Sequence, residues 1–217
     1  MKRETVVYII WALQLSILAL VLIGIVTDNT TWVPAGALSF LVTLLPTILR
    51  RRMNVVLPLW LMLWIVISLF LHATGGYFGF YDNVPYWDHL THAISASLVA
   101  ALGFIIVVTI DVFVDSIRLP RPFLALFVFT FAVAVGVFWE IMEYTQDALM
   151  GTRLQYDLED TMLDMFFDTM AGLIVSVGVF VYITFYKSPQ EFVDSMGLAG
   201  AKEKLGPLMR IGRKSQH

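Results

Sequence analysis

The chain reads as an all-α protein: a polytopic membrane helix bundle with six transmembrane helices and both termini in the cytoplasm. Three observations predict this. The 217 residues are 59% hydrophobic and 14% charged, with a mean hydropathy of +0.79. Soluble domains are nearer ~45–50% apolar and ~25% charged. Several apolar runs reach the ~20 residues that a bilayer-crossing helix needs. The basic residues also partition by loop. With six helices, thirteen of the fourteen Lys and Arg (residues 2, 3, 50–52, 118, 121, 187, 202, 204, 210, 213 and 214) fall on one side, and Arg153 alone falls on the other. The positive-inside rule makes the crowded side cytoplasmic, in the cell (inner) membrane. One helix more or fewer would scramble that partition.

The first helix is expected over residues 5–27. Lys2 and Arg3 ahead of an apolar run resemble a signal peptide, but the run 6–26 is too long for an h-region and no small-x-small cleavage site follows. A turn over 28–31 leads to a second helix, 32–49, bent or packed around Pro34 and Pro46 and stopped by Arg50, Arg51 and Arg52. The third spans 54–73. Residues 74–87, TGGYFGFYDNVPYW, combine helix-breaking glycines with interfacial aromatic residues. They read as a loop or short re-entrant lid over a site, or more plainly as an aromatic belt. The fourth helix covers 88–111, the fifth 123–149 after Pro120 and Pro122, and the sixth 158–186. Residues 1–187 thus form the membrane domain and 188–217 a basic cytoplasmic tail with a weakly amphipathic piece at Phe192, Met196 and Leu198. Small-residue spacings such as Ala93/Ser97/Ala101 and Gly172/Ser176 are helix-packing surfaces.

The chemistry concentrates in the sixth helix start, DLEDTMLDMFFDTMAG over residues 157–172. Asp160, Asp164 and Asp168 recur every four residues and so stack on one helical face. Like charges at that spacing destabilise a helix, and carboxylates below a membrane surface cost more. Asp168 lies roughly 12–15 Å below the helix start, at ~1.5 Å per residue, too deep for its short side chain to snorkel out. Two neighbouring segments reach the same outer level. Asp88 and His92 stand one turn apart at the start of the fourth helix. Glu140, Glu143 and Asp147 share a face at the end of the fifth. Asp164, Asp168, Glu140 and His92 sit inside apolar helical patterns, which makes them the hardest to read as surface residues. Asp157 and Glu159 read instead as helix-start acids. Asp147 reads equally as a surface acid, and Asp88 as a helix cap. His89 reads as facing the interface, and His72 as a satisfied hydrogen-bonder. The basic groups at hand are His89, His92, His72 and Arg153. So many carboxylates require protons or a bound cation. Oxygen-rich donors with one or two imidazoles suit a divalent metal ion, Mg²⁺, Mn²⁺, Ca²⁺, Fe²⁺ or Zn²⁺, and the number of carboxylates would accommodate two. The absence of cysteine excludes disulfides and thiolate ligands.

WDHLTH (87–92), WEIMEYTQDALMGT (139–152) and DLEDTMLDM (157–165) resemble the motifs of the uncharacterised YjdF-type bacterial inner-membrane proteins. Asp88 and His92 match the family's Asp-x-x-x-His helix start, and Glu140 and Glu143 bracket its glutamate. Asp147, Ala148, Gly151 and Thr152 match its linker, and Asp160, Thr161, Asp164 and Met165 its last helix start. More loosely the chain resembles VanZ-like membrane proteins, through Asp88/His92, Glu143/Gln146 and Arg153 with Asp157/Asp160. Those proteins carry Asn where this chain has Asp168. The YjdF-type resemblance implies no established activity. The VanZ-like one implies an association with glycopeptide resistance without a mechanism.

Three functions fit. The first is a membrane-embedded metal-dependent hydrolase or transferase acting on a lipid-linked or envelope substrate. Asp88, His92, Glu140, Glu143, Asp164 and Asp168 would hold the metal, with Glu140, Glu143 or Asp160 as the catalytic acid or base. The second is a cation- or proton-coupled transporter, for which the first helix offers little beyond Gln14 and Ser16. The third is a non-catalytic membrane protein with a structural ion. The partners implied are the lipid bilayer and a lipid-linked substrate. Nucleic acid is not among them, because the basic residues lie in short loops and a tail.

Overall fold

The structure is a computed structural model and describes residues 2–28, 31–53, 56–114 and 117–196. Among these residues every regular element is a helix. In order they are α1 (Arg3–Val26), α2 (Val33–Thr43), α3 (Leu45–Met53), α4 (Leu59–Phe78), α5 (Phe80–Asn83), α6 (Trp87–Phe113), α7 (Arg121–Met150), α8 (Leu158–Phe185) and α9 (Pro189–Ser195). Six are long and apolar enough to cross a membrane, with α2 and α3 counted together as one span, Val33–Arg52. Their exposed faces carry large apolar side chains, such as Leu15, Leu22, Leu126, Phe138, Ile174 and Val177. The chain is a multi-pass membrane protein. Residues 197–217 of the expected tail, with Leu198, lie outside the described residues.

The described helices fall into two compact units, one from residues 2–84 with 190–196 and the other of Pro85–Pro189. In the first, α1 packs on α4 and α2, and α2 packs on α4. Ile10, Ile17 and Gly24, seven residues apart, form the buried seam of α1. The second predicted helix breaks at Leu44 because Pro46 has no N–H to donate and crowds the preceding turn. Thr47 then donates to the Leu44 carbonyl rather than to Thr43. The Thr43 carbonyl instead accepts from Gln14 Nε2 at 3.0 Å. Backbone groups in lipid must find partners inside the protein, which gives the lone amide of α1 its task.

Three predicted boundaries move. The second membrane helix is not stopped by Arg50, Arg51 and Arg52 but carries them in its last turn and ends at Met53, where cations suit the C-terminal end of the helix dipole. The third membrane helix starts at Leu59, not 54, because Pro58 is extended (ψ 147°) and serves as its N-cap. At its other end the helix does not break at 74. It runs on through Gly75 and Gly76 to Phe78 and stops at Gly79, which is left-handed (φ 66°). Glycine is tolerated within membrane helices, and here Gly76 serves packing, since a Cβ there would collide with the Trp32 ring. Trp32 stacks on Tyr81 (6.0 Å, 14°), and His72 Nδ1 lies 2.7 Å from the Tyr81 hydroxyl. His72 is therefore paired within this aromatic group, as the sequence suggested. Residues 80–83 form the single turn α5 rather than an open loop.

The second unit is α6, α7 and α8, each packed on the other two. Close approach is set by small residues: a Cβ on Gly103 would meet the Phe131 ring, and one on Gly172 would meet Ala132.

Replacing Gly76 with Val is expected to destabilise the protein by ~1–3 kcal/mol through overpacking against Trp32. Thermal unfolding in detergent measures this, and Gly178→Ala, whose Cβ meets open space within α8, should hold or raise the midpoint, since alanine is the better helix former.

Candidate metal centre

The polar end of the second unit is assembled from two helix N-termini and one C-terminus. The chain enters α6 through Tyr86, which is left-handed (φ 63°) and makes no side-chain cap bond. Asp88 follows in the first turn, where the helix dipole favours a carboxylate. α8 is capped by Asp157, whose side chain accepts from the Asp160 N–H at 3.0 Å. α7 ends at Gly151, left-handed with φ 68°. The dipole effect fades within the first turn, so Asp164 and Asp168, deeper in α8, depend on side-chain partners.

Those partners come from α6. His89 Nδ1 lies 2.8 Å from Asp164 Oδ1, and His92 Nδ1 lies 3.3 Å from both oxygens of Asp168. The histidines are three residues apart and the aspartates four, so two His–Asp pairs run in parallel between the helices. All four side chains are buried: Asp164 is 2% exposed and Asp168 4%. The His89 ring is further fixed by stacking on Phe167 (5.2 Å, 8°). Asp168 itself nests against α7 at Gly136, where any Cβ would strike its carboxylate.

With Nδ1 turned to the Asp168 carboxylate, the His92 ring directs Nε2 away from α8 and toward the other acids. That nitrogen faces Glu140 Oε1 at 3.8 Å and Asp88 Oδ1 at 3.7 Å. Both separations are too long for hydrogen bonds. Two ligands each ~2.1 Å from one metal ion stand roughly 3–4 Å apart. Glu140 is 5% exposed, and its Oε1 is buried without a hydrogen-bond partner. Three sets of side chains bring ligand atoms within 4.8 Å of one another: Asp88/His92/Asp164, His89/Asp160/Asp164 and His92/Glu140/Glu143. These buried groups can hold a metal ion.

A family described as predicted membrane protein (DUF2238) matches residues 8–185. The chain belongs to this family. It is the YjdF-type family whose motifs the sequence displays. An uncharacterized protein of Thermotoga maritima is 33% identical over 114 residues, a match that spans 49% of this chain and 57% of that protein. No solved structure matches the chain.

Within this YjdF-type chain the expected site residues take different places. Asp88, His92, Glu140, Glu143, Asp160 and Asp164 all contribute to the three sets. Asp168 belongs to none of them and instead stands behind His92, on its Nδ1. Glu143 is half-buried and accepts from Trp139 Nε1 at 2.9 Å. Arg153 is exposed and lies 6.0 Å from the Tyr156 ring centroid. Among the described residues, Asp88, Glu140, Asp164 and Asp168 form ion pairs with His89 or His92. His89, read as facing the interface, is buried; its i, i+3 relation to His92 is the signal that would have found it.

Gln155 carries no signal at sequence level. Its Nε2 donates to Glu140 Oε2 at 3.0 Å and to the Glu140 carbonyl at 3.1 Å. The bond holds one carboxylate oxygen and leaves Oε1 toward His92. Gln155 is placed by Asp147, whose carboxylate accepts from the Thr152 hydroxyl (2.6 Å) and from the backbone N–H of Leu154 (2.8 Å) and Gln155 (2.9 Å). Asp147 thus folds the linker between α7 and α8.

Asp147→Ala removes three acceptor bonds from that linker. With about 1.4 kcal/mol lost, local opening rises about tenfold. Tryptic cleavage after Arg153, which is exposed in the linker, should accelerate by that factor while helical circular dichroism is retained.

Proposed function

We propose that the chain is a divalent-metal-binding membrane protein of the cell membrane, with its site facing outward and a hydrolase or transferase reaction on a lipid-linked or envelope substrate. The observation that carries the reading is the buried Glu140 Oε1, which accepts no hydrogen bond and faces His92 Nε2 at 3.8 Å. A buried carboxylate oxygen without a hydrogen bond is costly, and a cation between it and the imidazole removes that cost. An imidazole backed by a carboxylate on its second nitrogen is the usual state of a metal-ligating histidine.

In this reading His92 Nε2, Glu140, Asp88 and Asp164 are the ligands and Asp168 the group that orients His92. Glu143 and Asp160, half-buried at the margin, are the candidates for general acid or base toward a metal-bound water. The ion supplies Lewis acidity and lowers the pKa of that water.

A transport reading is weaker. The buried Glu140, Asp164 and Asp168 gather at one end of α6–α8, apart from the one further buried carboxylate described there, Asp111. Towards the other end α6 presents Asp111, whose Oδ1 accepts from the Leu119 N–H at 2.6 Å, and α8 presents the buried hydroxyl of Ser176. One-ended access suits a binding or catalytic site better than a conduit.

Metal analysis of the purified chain should find bound divalent metal, reduced tenfold or more in affinity by His92→Ala and by Glu140→Gln. Equal trace metal in all three would sink the reading. Orientation is checked separately. The chain has no cysteine, so Arg153→Cys should react with a membrane-impermeant thiol reagent on intact cells, and Arg51→Cys should react only after lysis.

A further inference from the structure

The connected shape of the cluster goes beyond a single ion. We propose that the centre is binuclear: two divalent cations share the Asp164 carboxylate, one on the His92–Glu140–Asp88 side and one on the His89–Asp160 side. The inference rests on the metal reading given above.

Three observations support it. Asp164 is the one residue common to the set with Asp88 and His92 and the set with His89 and Asp160. At 2% exposure it lies between the two histidines of α6, the position a bridging carboxylate takes when two cations sit ~3.5–4 Å apart. His89 is built as a ligand and not as a surface group. Its ring is buried and stacked on Phe167, and its Nδ1 stands 2.8 Å from Asp164, directly beside the shared carboxylate. Charge points the same way. Asp88, Glu140, Glu143, Asp160, Asp164 and Asp168 carry up to six negative charges on three packed helices, and Asp88, Glu140, Asp164 and Asp168 make ion pairs with the two histidines. One divalent ion would leave most of that charge uncompensated in a low-dielectric setting. The unpartnered Glu140 Oε1 shows that the cluster is not closed by its own hydrogen bonds. With an imidazole on each side, the donors suit Mn²⁺, Fe²⁺ or Zn²⁺ better than all-oxygen Mg²⁺ or Ca²⁺.

Mn²⁺ serves as the probe, titrated into the full-length chain in detergent, with bound metal counted and the electron paramagnetic resonance spectrum recorded. About two Mn²⁺ per chain with an exchange-coupled spectrum is the expected result. His89→Ala with Asp160→Asn should leave about one ion, with the six-line spectrum of isolated Mn²⁺. Asp164→Asn should abolish the coupling. A single uncoupled ion in the wild type, lost in Glu140→Gln and unchanged in the His89/Asp160 variant, overturns the second subsite and leaves the first intact. No bound Mn²⁺, Fe²⁺ or Zn²⁺ in the wild type overturns both. Stoichiometry and coupling are read on the unmodified chain, so a variant that fails to fold does not remove the test.

Discussion

The pairing of α6 with α8 through His89–Asp164 and His92–Asp168 is the constraint on which the polar end of this protein depends. Both aspartates sit beyond the reach of their own helix dipole, inside a helix long and apolar enough to cross a membrane. Removing either histidine would leave a buried carboxylate without its partner, a change of the kind that costs several kcal/mol. The same bonds orient the imidazoles. Structure and chemistry therefore share their atoms: what holds the helices in register also turns His92 Nε2 toward Glu140.

α7 enters this arrangement through the absence of a side chain and through a linker. Gly136 lets the Asp168 carboxylate rest against the helix, which a Cβ would prevent. Beyond the helix end, Asp147 gathers the backbone of Leu154 and Gln155, and Gln155 reaches back to Glu140. The carboxylates of α7 thus divide their work. Asp147 shapes the chain, and Glu140 faces the imidazole under the hold of Gln155. Glu143 stays at the margin on Trp139.

Much of this was legible because membrane sequences are strongly constrained. Apolar length and the partition of basic residues give six spans, and the i, i+4 stripe of α8 gives a buried acidic face. The misreadings have local causes. Gly75 and Gly76 look like helix breakers, yet a helix keeps its backbone groups satisfied in lipid and Gly76 is needed to seat Trp32. Pro58 is masked as a start signal by the apolar pattern that continues on both sides of it. His89 neighbours Asp88 at the helix start, and only its i, i+3 relation to His92 marks it as inward-facing.

The sequence by itself determined that the chain is helical, that it crosses the membrane several times, and that three segments carry carboxylates and imidazoles able to share one end of a bundle. Hydropathy and helical period are local properties, and one strand of text contains them. Only the tertiary structure decided which oxygen faces which nitrogen: that Asp168 stands behind His92, that Asp164 lies between two histidines, and that Gln155 holds Glu140. Those contacts join residues 15 to 76 positions apart. They follow from how three helices pack and how one linker folds, which no periodicity records.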